Sequence, residues 1–449
     1  MTPSLEEVAE LLLTEAQRNG ATAADVVVAE DETLEVGVRL GEVEKIKQAR
    51  QKHLGLRAFV GDRSAITSSA DFSREALVRL AADTCALARI IAPDPFAGLP
   101  APAELARTQP ELDLYDPDVA AVSAETAIEW ARAGEQAALD ADPRIRNSEG
   151  AQCSTSSDRI VYASTLGFRG TYRSSGVSLS VVPIATDNGS MQRDYWYSGQ
   201  RSLARLDAPA AIGRRAAERT VRRLHARQVP TCDVPVVFDP ETASTLVRHL
   251  AAAVSGYSLY KGASFLIGKL GERLAPDHVT VVDDGTRIGG LGSKPFDAEG
   301  LPTRRTVVVE RGVLRSYLFD CYSARKLDAR STGNAARSVA SPPSVSPTNL
   351  YLEAGTVSPD DIIRSVRRGL YVTELIGFGV NSVTGDYSRG AVGLWIENGE
   401  LTYPVEEITI AGNLLRMFDG VDAVGNDLEF RHSVCAPTIK IARMTVAGT

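Results

Sequence analysis

The sequence predicts an α+β protein. An N-terminal α/β domain with a largely antiparallel sheet and flanking helices precedes a C-terminal antiparallel β-rich, barrel-like domain. Three observations predict this. Stretches with helical and strand periodicity alternate through the first half of the chain. Beyond a polar break at 228–233 the pattern turns to short strands. They are joined by hairpin turns, clearest at Glu310-Arg-Gly-Val313 and Glu397-Asn-Gly-Glu400. The chain has 449 residues, too many for one domain at about 100–200 residues each. The expected domains are 1–228 and 229–449.

The elements follow in order. Residues 4–19 form an amphipathic helix. Ser4 can cap it, Glu6 and Glu7 suit its positive end, and Gly20 stops it. Strand-like runs follow at 25–29, 34–40, 53–59 and 64–68. Residues 73–91 form a second helix. Residues 92–118 hold six prolines and form an extended connector inside the α/β unit. A third helix covers about 117–140, and 144–197 reads as a long antiparallel meander. Residues 207–226 form an arginine-rich helix. After the break come a strand at 234–238 and a helix at 240–255. No internal repeat of fixed period is present.

Composition excludes several classes. The net charge of −8 argues against a protein that binds nucleic acid over its whole surface. No apolar run approaches the 18–20 residues of a membrane helix. The acidic start lacks the basic region of a secretory signal. Cys85, Cys153, Cys232, Cys321 and Cys435 are odd in number and contain no CxxC pair. That pattern fits a reducing cytoplasm rather than a disulfide scaffold. The five histidines are His53, His225, His249, His278 and His432.

Several motifs carry possible chemistry. The six arginines between Arg214 and Arg227 read as a solvated face opposite Ile212, Ala216, Val221 and Leu224. Ser258-Leu-Tyr-Lys261 and Ser323-Ala-Arg-Lys326 match S-x-x-K but lack the companion motifs of a Ser–Lys hydrolase. Asp283-Asp284 before Gly285 reads as an Asx-type turn, with a cation or acid–base site as the rival. The segment 377–390 is the most informative. Its candidate cleft or interface residues are Gly377, Gly379, Asn381, Thr384, Gly385, Asp386, Ser388 and Arg389. So many glycines let backbone approach a ligand or second chain closely. A plain connection between strands 370–376 and 391–397 is the equal alternative. Ser331-Thr-Gly-Asn-Ala335 reads as a short polar turn before an exposed, mobile proline-rich loop at 341–347.

The C-terminal half resembles the TldD/PmbA family, specifically its PmbA (TldE) branch. The resemblance rests on Ser331-Thr-Gly-Asn-Ala335, Pro347-Thr-Asn-Leu350, Gly369-Leu-Tyr-Val-Thr-Glu374 and Asn381-Ser-Val-Thr-Gly-Asp-Tyr-Ser-Arg-Gly-Ala391. Pro404-Val-Glu-Glu-Ile-Thr-Ile-Ala-Gly-Asn-Leu414, Gly425-Asn-Asp427, Ala436-Pro-Thr-Ile-Lys440 and Met444-Thr-Val-Ala-Gly-Thr449 extend it. It implies a two-domain subunit of a dimeric, peptide-cleaving metalloenzyme whose TldD partner carries zinc on an H-E-x-x-x-H helix. The corresponding helix here is 241–255. His249 falls at the first histidine, but Leu250 replaces the Glu and Val254 the second His, and no His-Glu pair occurs anywhere. One imidazole does not hold a catalytic zinc.

The expectation is therefore a cytoplasmic, non-metal subunit of a TldD–TldE-type peptidase, with no catalytic residue and no cofactor of its own. Zinc would sit in a TldD-like partner, and unstructured peptides would bind as an added strand. Microcin maturation and gyrase modulation, implied by the family name, would be downstream effects of proteolysis. A homodimeric, non-catalytic peptide-binding or scaffold protein is the alternative. An independent hydrolase around Asp283, Asp284 or Asp386 is a further rival.

Overall fold

The structure is a computed structural model and describes residues 3–448. The α+β architecture is as predicted. The first half is built on strands β1 (Ala23–Arg39), β2 (Glu42–Val60), β3 (Arg63–Ser69), β4 (Ile145–Ser164), β5 (Arg169–Asp187), β6 (Ser190–Arg193) and β7 (Trp196–Gln200). They form one antiparallel sheet in the order β3-β2-β1-β4-β5-β6, with β7 also on β5. Helices α1 (Leu5–Arg18) and α2 (Arg74–Ile90) pack at one end. Helices α4 (Ala124–Leu139) and α5 (Pro209–Val221) pack at the other, with the short α3 (Pro117–Ala120) between the pairs in sequence.

Strand period explains how one sheet serves two cores. Val26 and Val28 of β1 pack with α1 and α2, while Leu34, Val36 and Val38 pack with α4 and α5. All are even-numbered and so share one face. Val27 points the other way, into a cluster with Tyr162, Phe168 and Phe296 that joins the sheet to the second half.

Two local expectations are corrected. The runs 25–29 and 34–40 are a single strand. The acidic stretch between them continues the ladder because Arg50 of β2 binds Glu30 at 2.6 Å and Glu32 at 2.8 Å. The third helix is two helices, because Ser123 accepts the Thr126 N–H at 3.2 Å and restarts the helix as its cap.

The second half contains a closed five-strand barrel. Strand β8 (Cys232–Phe238) lies beside Arg368–Ile376, followed around the ring by Asp386–Glu397, Glu400–Asn413 and Ile439–Ala447, which pairs back to β8. Every pairing is antiparallel except that of β8 with Arg368–Ile376. A second sheet centres on Val281–Asp284. Both predicted hairpin turns form, with positive φ at Arg311, Gly312, Asn398 and Gly399. Helix α6 (Pro240–Val254) packs into the core between barrel and second sheet. No helix among the described residues is long and apolar enough to cross a membrane.

Candidate functional site

Helix α6 organises the site. Asp239 caps it, taking the Thr242 N–H at 2.9 Å, and Pro240 fills the first helical position. This junction holds Glu241 at the lip of a cleft of about 580 Å³ between α5, α6, the short helix Pro359–Arg364 and the loop carrying Arg431. Tyr197 from β7 donates its hydroxyl to both Glu241 oxygens at 2.9 Å, and His432 contacts the same hydroxyl. Burial pushes the Glu241 carboxyl up, against the Tyr197 hydrogen bond. Burial lowers the His432 imidazole, with Arg248 and Arg431 adding to the effect. Cys435 lines the cleft nearby, and burial raises its thiol. The Tyr197 hydroxyl thus ties Glu241 and His432 into one polar group at the cleft.

The solvated-face reading holds for Arg214, Arg215 and Arg227, which are exposed, and fails for Arg219, Arg222 and Arg223. Helix α5 ends at Val221 rather than 226. Arg219 and Arg223 are 4% and 7% exposed. Spacing explains this: Ile212, Ala216 and Arg219 lie along one helical stripe, and Arg223 follows in the turn after α5, so the apolar face is continued by arginines. Burial is tolerated because the second half brings carboxylates. Arg219 meets Asp239 at 3.3 Å, and Arg223 meets Glu374 at 2.6 Å. Asp194 sits 3.2 Å from Arg219.

At the other end of α6, the predicted segment and the predicted helix converge. His249 meets the Tyr387 ring edge-on with centroids 6.1 Å apart, and burial followed by the Arg389 charge lowers its pKa. His249 Nε2, the Tyr387 hydroxyl and Arg389 Nε are all buried without a hydrogen-bond partner among the described residues. Leu250 and Val254 are 3% and 0% exposed and pack in the core. The residues present therefore do not fit a zinc ion: one half-buried imidazole replaces a donor set, and Leu250 and Val254 face hydrocarbon. No cluster of three His, Cys, Asp or Glu suited to a metal occurs among the described residues.

The glycine-rich segment is shorter as a loop than expected, because Asp386 already opens the strand Asp386–Glu397. Gly377 has φ +80°. Gly379 permits a close approach, since a Cβ there would lie 1.9 Å from the Ser388 carbonyl oxygen. Between them Phe378 is fully exposed. Asn381 Oδ1 accepts the Val383 N–H at 2.9 Å. Thr384 Oγ1 donates to Asp386 at 2.6 Å, and Asn413 Nδ2 to Asp386 at 3.2 Å. These contacts hold the Asp386 carboxyl below its ordinary value. Buried Gly385 packs near Phe265 and Asn413. Ser388 is exposed, and Arg389 donates to the Leu375 carbonyl at 3.3 Å. Asn381, Thr384 and Asp386 thus brace the loop.

The other motifs fall into structural roles. Asp284 makes the expected turn, accepting the Thr286 N–H at 2.9 Å. Asp283 is instead buried, accepting from Asn334 Nδ2 and the Thr348 N–H, both at 2.7 Å. The 331–335 segment is thereby a buried brace rather than a surface turn. The 341–347 loop is partly buried, and Ser344–Val345 pairs with Ala335–Ala336. In each S-x-x-K match the lysine stacks on aromatic rings, Lys261 over Tyr260 and Lys326 over Phe96. Tyr197, Glu241 and His432 were not assigned a role from sequence, for they meet only across the two halves of the chain; Arg222 entered only as one of the six arginines read as a solvated face.

Three models of one family match the chain. These are PmbA/TldA metallopeptidase domain 1 over residues 24–88, the central domain over 117–224 and the C-terminal domain over 231–448. Metalloprotease PmbA of Escherichia coli O157:H7 is 38% identical over 444 residues, covering 99% of this chain and 96% of that protein. A PmbA homolog of Haemophilus influenzae is 36% identical, covering 96% and 94%. A crystal structure of a Bacteroides thetaiotaomicron protein proposed as a modulator of DNA gyrase superposes with a TM-score of 0.92. It shares 29% identity and covers 99% of each chain.

Proposed function

Since the chain belongs to the PmbA/TldD metallopeptidase family, on its PmbA (TldE) side, we propose that it is the non-metal subunit of a TldD–TldE-type peptidase. Residues 1–228 and 229–449 would be its two domains. In this reading a TldD-like partner supplies zinc, whose role is to activate water for peptide hydrolysis. This chain supplies cleft wall and orientation. Unstructured peptides are the substrates, the compartment is cytoplasmic, and any effect on gyrase or peptide maturation follows from proteolysis.

One observation carries the reading. The helix that would bear the metal motif has a half-buried His249 with its Nε2 unpaired beside Tyr387, and Leu250 and Val254 in the core. The fully exposed Phe378 on a braced loop suits burial against a second chain.

The test is reconstitution with a TldD-like chain. The expected result is a heterodimer on size exclusion, zinc in the partner, and casein cleavage by the pair. A homodimer indifferent to the partner would favour the scaffold alternative. Stoichiometric zinc and casein cleavage by this chain alone would overturn the assignment.

A further inference from the structure

The charged groups lining the cleft between α5 and α6 are nearly all paired within the protein. Arg219 holds Asp239, and Arg431 holds Asp207 at 3.1 Å and Glu429 at 2.6 Å. Asp427 takes the Thr438 N–H at 2.9 Å and its hydroxyl at 2.7 Å. Arg222 differs. It lines the same cleft, yet its side chain makes no hydrogen bond or ion pair among the described residues. Its Nε and Nη2 are sealed from solvent, which leaves Nη1 as the nitrogen open to the cleft. Burial lowers the pKa of this guanidinium, and the charge of Arg219 lowers it further. Tyr371, Asp239 and Asp194 oppose this only from a distance.

A guanidinium does not shed its proton to escape burial. A buried charge without a partner is costly, and the remedy is an anion. The end of α5 offers partial negative charge, but its carbonyls take only the Arg222 backbone N–H and none accepts from the guanidinium. An anion entering the cleft would supply that partner.

The surroundings select the kind of anion. Asp239, Glu241 and Asp427 line the same cleft and would repel a dianion. Trp196, Ile212 and Leu401 offer an apolar wall. A cleft of about 580 Å³ suits a ligand of a few residues.

We propose that Arg222 anchors a carboxylate subsite in this interdomain cleft, taking the free C-terminal carboxylate of a short peptide that ends in an apolar residue. The choice of a peptide over another carboxylic acid rests on the peptidase reading above. The subsite itself belongs to this chain and needs no metal and no partner subunit.

Calorimetric titration of the isolated full chain tests it. The probes are acetyl-Ala-Leu as the free acid, the same dipeptide as its C-terminal amide, acetate and inorganic phosphate. The free acid should bind at least about tenfold more tightly than the amide, as charge-assisted contacts require, and more tightly than acetate. Phosphate should not displace it. In Arg222→Gln the preference for acid over amide should vanish. Leu401→Trp, which fills the cleft with Arg222 intact, should weaken the acid and the amide alike. Arg222→Met should melt at or above the temperature of the parent, since it removes an unpaired buried charge.

Equal binding of acid and amide, a preference that survives in Arg222→Gln, tighter binding of phosphate, or no binding of either dipeptide would each overturn the subsite. Acetate binding as tightly as the acid would overturn the peptide assignment. Binding is read on this chain alone, so none of these outcomes bears on assembly with a zinc-bearing partner. Failure of that assembly would equally leave the titration intact.

Discussion

Arg337 Nη1 donates to Asp25 Oδ1 at 2.8 Å, with the two side chains 3% and 0% exposed, and so joins the second half of the chain to the first. Arg57 Nε binds the same carboxylate at 3.2 Å, as does the Tyr162 hydroxyl. Removing Asp25 leaves two buried guanidiniums facing each other. Asp25→Ala should cost about 3–5 kcal/mol in urea titration. Arg337→Met should cost less, because Asp25 keeps Arg57. The reverse order would contradict this network. Burial raises the Asp25 carboxyl, but Arg337 and Arg57 outweigh it and hold it below its ordinary 3.8. The stability it contributes is therefore present above that value and lost as the pH falls through the lower folded one.

Glu299 has the opposite sign. Burial and then the Asp297 charge push its carboxyl up to about 7, against Arg57, from an ordinary 4.5. The folded chain binds the proton more tightly than the unfolded one, so this group's contribution declines as pH rises from 4.5 to about 7. In Glu299→Gln the amide can still accept the Cys321 N–H, which Glu299 accepts at 2.8 Å. That variant should flatten the slope of melting temperature against pH in this window, and an unchanged slope would refute the assignment.

His249 acts in the other direction over a neighbouring range. Burial and Arg389 lower its pKa from 6.5, so the unfolded chain protonates first and stability falls as pH drops below that value. His249→Phe removes an unpaired nitrogen beside Tyr387. It should be neutral to about 1 kcal/mol stabilising at pH 7.5 and should resist acid better than the parent. A large loss of stability at pH 7.5 would show that His249 has a buried partner after all.

Gly379 and Gly377 separate two reasons for glycine. A Cβ at Gly379 collides with the Ser388 carbonyl, and the Ser388 N–H bond to Gly379 at 2.6 Å must then stretch or break. At Gly377 nothing lies within 4 Å, and only the positive φ is strained. Gly377→Ala should cost about 1–2 kcal/mol. Gly379→Val should displace the loop and reduce casein cleavage by the reconstituted pair, while the barrel core still melts cooperatively. Full activity in Gly379→Val would remove the loop from the functional surface.

What the sequence determined by itself is what neighbours along the chain decide. Ser4 and Glu7 close a capping box, Asp239 caps α6 ahead of Pro240, and both hairpin dipeptides turn as expected. The missing Glu and second His beside His249 were equally visible, because a helix motif has fixed spacing. Tertiary structure alone decided the rest. Arg219 and Arg223 look like solvent-facing residues until the second half brings Asp239 and Glu374 against them. The stretch 30–33 reads as a break until Arg50 pairs with it across the ladder. Tyr197, Glu241 and His432 come from three distant segments, and no local rule joins them. Charge in a sequence says what a side chain carries. Whether it meets water, a counterion or an empty cleft depends on which surfaces pack together, and that is a long-range property of the fold.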